Sequence, residues 1–107
     1  MGAISKTGSH PISGVLKYAE PPYNRGLYLM DNVGTLAGDV ATLVGLAAAG
    51  AQVLLFTTGR GSVVGTPIAP VVKVCGNPET WSLMEDNMDV NAGLVIRRAL
   101  LCKVSAI

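Results

Sequence analysis

Residues 53–62, Val53-Leu54-Leu55-Phe56-Thr57-Thr58-Gly59-Arg60-Gly61-Ser62, join a short apolar run to a loop rich in glycine and hydroxyl groups. An apolar run that ends at such a loop predicts a buried strand. Glycine lets a ligand approach the backbone, and an arginine guanidinium can bind a carboxylate or phosphate through two parallel hydrogen bonds. The loop therefore predicts an anion-binding site, although a tight turn with a solvated arginine fits the same pattern equally well.

Two stronger phosphate-binding motifs are absent from this loop. A P-loop requires a lysine after its last glycine, and Ser62 stands at that position. A dinucleotide fingerprint requires a third glycine that opens a helix, whereas Gly65 comes one residue late and is soon followed by Pro67. The loop thus has no nucleotide-binding signature.

The sequence around the loop alternates between strand and helix patterns. It predicts a strand at Leu27–Met30, a helix from Thr35 to about Ala49 that Gly50 ends, a strand at Val53–Phe56 and a strand at Val71–Val74. A strand, a helix and a second strand within about thirty residues form a βαβ unit, so the first two strands are expected to be parallel. The predicted fold class is α/β, a small Rossmann-like three-layer domain with a mainly parallel sheet of about three strands.

Three further helices are predicted from spacing and capping residues. Pro11–Ala19 has a proline at its first position and apolar residues at helical spacing. A second helix is predicted from Pro78 to about residue 86 or 87, with Asn77 as its cap and with Trp81 and Met84 on its buried face. A third covers about residues 92–103, with Asp89 as its cap.

Length and composition limit the classes of function. The 107 residues are expected to form one domain, half of them are hydrophobic, and only 14% are charged, so one face is expected to be covered by another domain or chain. The net charge of +1 favours neither a nucleic acid nor a membrane as partner. Two cysteines, Cys75 and Cys102, suit free thiols in a reducing compartment and predict a cytoplasmic location.

Ligands of open parallel sheets bind beyond the carboxyl ends of the strands. This rule is expected to bring three segments to one edge, namely Asp31-Asn32, Thr57–Ser62 and Cys75-Gly76-Asn77. Arg60 is the only basic residue among them, so the edge would form an anion pocket with amide and hydroxyl donors. No histidine is expected near Cys75 or Ser62, and no cluster of metal ligands is evident, so catalytic residues remain unknown.

Six blocks of sequence carry a resemblance to a known family. They are Lys6-Thr7-Gly8-Ser9, Pro11-Ile12-Ser13-Gly14-Val15-Leu16, Gly26-Leu27-Tyr28-Leu29-Met30-Asp31, Phe56-Thr57-Thr58-Gly59-Arg60-Gly61-Ser62, Pro70-Val71-Val72-Lys73-Val74 and Met88-Asp89-Val90-Asn91-Ala92-Gly93. In this order and spacing they resemble the C-terminal part of the altronate/galactarate dehydratase family. Ala19-Glu20-Pro21-Pro22 and residues 65–77 are most similar to its sulfolactate sulfo-lyase large-subunit branch.

The resemblance implies a lyase that removes water, or sulfite in the sulfo-lyase branch, from a hydroxy acid. It implies a divalent metal, typically iron, in the full enzyme, with ligands expected outside this chain. The residues expected to bind substrate are Thr57, Thr58, Gly59, Arg60, Gly61 and Ser62. Lys6 and Asp89 lie in matching blocks, but an exposed lysine and a helix cap explain them more simply.

Family enzymes are much longer, so the chain is expected to be a C-terminal fragment of such an enzyme. Its expected partners are a small sugar acid or hydroxy acid and the remaining domains or subunits of the enzyme, and formation of a homo-oligomer is left open. A non-catalytic ligand-binding or assembly module is the alternative from another class.

The chain alone is expected to fold but to be inactive. It has a single histidine, no cysteine pair at metal-binding spacing and no evident base. Assays of the pure chain with altronate, galactarate and sulfolactate, each with added divalent metal, should therefore detect no turnover. Metal-dependent turnover of any of these acids would contradict this expectation.

Overall fold

The computed structural model describes residues 4–32 and 38–96. The chain divides into two compact units, an N-terminal unit of residues 1–51 and a C-terminal unit of residues 52–107. The strands are β1 (Ile12–Leu16), β2 (Leu27–Met30), β3 (Leu54–Thr58), β4 (Val71–Cys75) and β5 (Val90–Asn91). The helices are α1 (Gly38–Ala48) and α2 (Pro78–Leu83), with 3₁₀ turns at Ile4–Thr7 and Glu85–Asn87.

All strand pairs in the described residues are parallel, which confirms the predicted mixed α/β fold of a small Rossmann-like type. None of the helices in the described residues is long and apolar enough to cross a membrane. The strands form two sheets, β1-β2 in the N-terminal unit and β3-β4-β5 in the C-terminal unit. The predicted βαβ unit that joins 27–30 to 53–56 is therefore wrong, because β2 pairs with β1 in one sheet and β3 pairs with β4 in the other.

The predicted helix at Pro11–Ala19 is also wrong, since this segment contains β1. Its β-branched residues Ile12 and Val15 favour extended backbone, and Gly14 weakens a helix interior. Pairing with β2, from Ile12 opposite Leu27 onwards, satisfies the backbone of β1 and outweighs the helical spacing of its apolar residues.

Helix α1 packs closely against Tyr18 through a glycine. Gly45 is buried, and a Cβ atom at this position would lie 2.9 Å from both Cδ2 and Cζ of the Tyr18 ring. The Tyr18 hydroxyl donates a hydrogen bond of 2.7 Å to the carbonyl oxygen of Ala41. The small residues of α1 thus let an aromatic ring lie against the helix backbone.

The end of α1 confirms the predicted glycine stop. Gly50 has φ of 97°, a conformation that glycine adopts without strain. Its N–H donates to Ala47 O at 3.0 Å, and the N–H of Ala51 donates to Leu46 O at 3.1 Å. These two bonds form the Schellman motif that satisfies carbonyl groups at a helix end. The predicted start at Thr35 lies outside the described residues.

The loop between β1 and β2 is ordered by the carboxylate of Glu20. This group accepts hydrogen bonds from the Tyr23 hydroxyl and, at 2.7 Å, from the backbone N–H of Lys17. The bond from Tyr23 is the main cause that lowers the pKa of Glu20, and the same bond raises the pKa of Tyr23. The two hydrogen bonds to Glu20 therefore hold this proline-containing loop in one conformation.

The sheet of the C-terminal unit brings three strand ends abreast. Thr58 lies opposite Cys75 across the β3–β4 pair, and Cys75 lies opposite Asn91 across the β4–β5 pair. Leu54 and Cys75 are buried in this sheet, and Ala69 and Met88 are buried beside it. The carboxyl edge of the sheet is therefore defined by one residue from each strand.

Strand β5 is held by a side chain as well as by backbone. The N–H of Asp89 donates to Lys73 O at 3.0 Å, and the Asp89 carboxylate accepts the N–H of Lys73 at 2.7 Å. Asp89 precedes a strand, so its predicted role as a helix cap is wrong. Residues 93–96 are helical, and the rest of the predicted last helix lies outside the described residues.

Asn77 caps α2 as predicted. Its side-chain oxygen accepts the N–H of Glu79 at 2.9 Å, and Pro78 occupies the first helical turn, where its missing N–H costs no hydrogen bond. The helix ends at Leu83, earlier than predicted, and a 3₁₀ turn follows it. Trp81 and Met84, predicted to be buried, are half-buried.

Substitution of Gly45 by alanine should destabilise the N-terminal unit despite alanine's better helix propensity. The propensity gain is about 0.5–1 kcal/mol, whereas forcing a methyl group against the Tyr18 ring costs about 1–3 kcal/mol. Denaturant unfolding of Gly45→Ala measures the difference. In a Tyr18→Ala background the same substitution should become stabilising, and destabilisation of equal size in both backgrounds would show that the ring is not the cause.

Candidate functional site

The loop of residues 57–62 is organised by the hydroxyl group of Thr58. Thr58 Oγ1 accepts hydrogen bonds from the backbone N–H of Arg60 at 3.2 Å and from that of Gly61 at 3.0 Å. Gly61 has φ of 83°, which explains why the loop has a glycine at this position. The chain therefore turns sharply directly after β3 and presents Arg60 at the tip of the turn.

Helix α2 holds the other side of this loop. The Thr80 hydroxyl donates a hydrogen bond of 2.7 Å to Gly59 O. A Cβ atom on Gly61 would collide with the thioether of Met84 and lie 3.2 Å from Thr80 Cγ2. The second glycine of the motif thus serves close packing against α2 as well as the turn itself.

The Arg60 side chain is exposed, and within residues 4–32 and 38–96 its guanidinium has no hydrogen bond or ion pair. The Ser62 hydroxyl accepts the N–H of Val64 at 3.3 Å, and Thr57 is exposed on the opposite side of β3 from Thr58. The backbone of the loop is thus held in place, while its only cation is available to an anion.

The predicted neighbour of the loop, residues 75–77, does lie beside it. The N–H of Gly76 donates to Thr58 O at 2.9 Å, and the fully buried Cys75 thiol donates to Asn77 O at 3.3 Å. Asp31 and Asn32, in contrast, follow β2, which belongs to the other sheet. The prediction that all three segments share one sheet edge is therefore wrong for Asp31-Asn32.

Asn91 is a residue of the carboxyl edge that sequence patterns do not point to. Its amide oxygen is buried and has no hydrogen-bond partner. Asn91 ends β5 abreast of Cys75, so it belongs to the same carboxyl edge as the loop. The available signal was its place in the block Met88–Gly93, but no short strand was predicted there, so the residue was not assigned to the edge.

The described residues do not form a metal centre. Within residues 4–32 and 38–96, no three His, Cys, Asp or Glu side chains are grouped so that they could hold an ion. Lys6 lies in the first 3₁₀ turn, at a distance in sequence from the loop. The described residues of the edge offer hydrogen-bonding groups and the positive charge of Arg60.

The parallel sheet of the C-terminal unit, with a glycine-arginine loop at its carboxyl edge, defines a small α/β domain. Residues 1–105 match the family model described as D-galactarate/altronate dehydratase, C-terminal. The chain belongs to this family.

Three curated relatives are similar along most of this chain. It is 41% identical over 94% of its length to the (2R)-sulfolactate sulfo-lyase subunit beta of Chromohalobacter salexigens. It is 42% identical over 89% of its length to the altronate dehydratase of Bacillus subtilis, and 36% identical over 89% to the galactarate dehydratase (L-threo-forming) of Escherichia coli. The chain spans 25%, 18% and 18% of these proteins, respectively.

Replacing Thr58 by valine should loosen the loop while preserving its packing volume. The Arg60 and Gly61 amides would lose their acceptor, at a cost of about 1 kcal/mol, the low end for an unpaired group because water can reach the loop. Hydrogen exchange of these two amides should accelerate. Thr57→Val is the matched control, and equal exchange rates in Thr58→Val and wild type would contradict this role of the hydroxyl.

Proposed function

We propose that this chain is part of a hydro-lyase that dehydrates a sugar acid such as altronate or galactarate, and that residues 57–62 bind the carboxylate and hydroxyl groups of the substrate. Family membership supports the reaction class, since the relatives from Bacillus subtilis and Escherichia coli are named as dehydratases. The observation that carries the assignment to the loop is the exposed Arg60 guanidinium, which no described acid pairs, on a backbone that Thr58 orders.

Dehydration of a hydroxy acid needs a carboxylate held in a fixed orientation. A base removes the proton next to the carboxylate, and negative charge develops on the carboxylate oxygens as the hydroxyl leaves. The planar guanidinium of Arg60 can donate two parallel hydrogen bonds to these oxygens. Because the loop is ordered before substrate arrives, little reorganisation is needed when the charge develops.

The remaining groups of the loop suit the hydroxyls of a polyol. Thr57 has an exposed hydroxyl, and the hydroxyl of Ser62 still has a proton to donate after it accepts the N–H of Val64. Such groups can both donate and accept, as substrate hydroxyls do. We assign the carboxylate to Arg60 and a nearby hydroxyl to Ser62.

The base and the metal are assigned to parts of the enzyme outside this chain. Within residues 4–32 and 38–96 no three potential ligands are grouped, so these residues alone do not fit a metal. A divalent metal, with iron as the expected ion, remains a proposal for the full enzyme. The chain spans only 18–25% of the three curated relatives, which supports the remaining domains or subunits as its partners. We propose a cytoplasmic location for the full enzyme.

A sulfolactate sulfo-lyase subunit is the second candidate. The identity to that relative, 41%, nearly equals the 42% to an altronate dehydratase. Both reactions begin with a hydroxy acid whose carboxylate must be held, and they differ in whether water or sulfite leaves. A non-catalytic binding module would use the same loop without turnover, so activity of the full-length protein on altronate, galactarate and sulfolactate separates the three candidates.

In the full-length enzyme, Arg60→Lys should lower kcat/KM about ten- to a hundredfold. Lysine keeps the charge but loses the planar fork, and one charge-assisted hydrogen bond contributes about 1.5–3 kcal/mol. Steady-state kinetics on the best of the three acids measures the loss, and a thermal melt tests whether the fold is intact.

Arg25→Lys is the matched control, because Arg25 is also an exposed loop arginine but is not part of the loop of residues 57–62. It should leave kcat/KM unchanged. Wild-type kinetics in a correctly folded Arg60→Lys enzyme would mean that the arginine is a solvated turn residue and would refute the assignment of the loop.

A further inference from the structure

Asn91 carries the only buried side-chain oxygen or nitrogen without a hydrogen-bond partner in the part of the chain that the structure describes. Buried polar atoms in folded proteins are paired in the great majority of cases, so each exception needs an explanation. The atom is Oδ1, a hydrogen-bond acceptor. A group that pairs with this oxygen must therefore be a hydrogen-bond donor.

The strand register places Asn91 in one row with the loop. Thr58, Cys75 and Asn91 are direct neighbours across β3, β4 and β5, so their side chains point to the same face of the sheet. The row spans two strand spacings, about 10 Å. Thr58 orders the Arg60 loop at one end, and Asn91 stands at the other.

No neighbouring group in the row supplies the missing donor. The Cys75 thiol donates to Asn77 O, and the Thr58 hydroxyl already accepts two backbone N–H groups of the loop. Beyond Asn91 the chain lies tightly against the start of α2, since a Cβ atom on the buried Gly93 would lie 3.0 Å from the Pro78 ring. This close contact limits how far the Asn91 backbone can move to find another partner.

We infer that Asn91 Oδ1 accepts a hydrogen bond from a hydroxyl group of the polyhydroxy acid whose carboxylate binds Arg60. This inference rests on the proposed function and extends it to a second contact at the far end of the same edge. A hydroxyl is the donor that such a substrate offers, and the length of the row suits an extended polyol more than a lone carboxylate. The competing occupant is a permanently bound water molecule.

Kinetics of the full-length enzyme with altronate, galactarate and their singly deoxygenated analogues test this inference. Asn91→Ala should lower kcat/KM about tenfold on the parent acid, as expected for one lost hydrogen bond. On the analogue that lacks the contacted hydroxyl it should cause no loss. A thermal melt should show that Asn91→Ala is folded at the assay temperature.

Asn87→Ala is the matched control, since Asn87 is exposed in the 3₁₀ turn that precedes β5. It should change neither kcat/KM nor Tm. An Asn91→Ala enzyme that loses the same factor on every acid would overturn the inference and indicate a structural or water-bound role.

The same experiment separates this inference from the proposed function. Turnover by wild type together with a loss in Arg60→Lys, but without substrate dependence in Asn91→Ala, overturns the inference alone. Absence of turnover by wild type on both parent acids overturns the proposed function and the inference with it.

Discussion

The candidate site depends on one residue, Thr58, which ties a loop to a sheet. Its carbonyl oxygen accepts the N–H of Gly76 and thereby closes the ladder between β3 and β4. Its hydroxyl accepts the N–H groups of Arg60 and Gly61 and shapes the loop. Thr58 is thus both the last residue of β3 and the residue that holds the turn, so the position of Arg60 is fixed by the sheet.

Much of the fold could be predicted because local signals agreed with tertiary structure. The strands at 27–30 and 71–74, the Asn77 cap and the Gly50 stop each follow from residues adjacent in sequence. The pairing of strands could not be predicted this way, because it depends on contacts between distant segments. Residues 12–16 illustrate the difference, since their helical spacing was overruled by pairing with β2.

The consecutive residues of the candidate site were predicted from the sequence, whereas Asn91, which is distant from them in sequence, was not. Glycine, arginine and hydroxyl residues at 57–62 indicated a loop from chemistry alone, although whether it binds substrate stays a prediction. Asn91 could be recognised only after the register brought it abreast of Cys75. A strand as short as β5 has no periodicity that a sequence pattern can detect.

The carboxylate of Asp89 fixes the register of β5 against β4 at the sheet edge. A two-residue strand makes few backbone bonds, and a slip by one position would turn each of its side chains to the opposite face. The Asp89 carboxylate accepts the N–H of Lys73, and this additional hydrogen bond can form in only one register of β5. Asp89 thus fixes the register of β5, and with it the position of Asn91, without contacting a ligand itself.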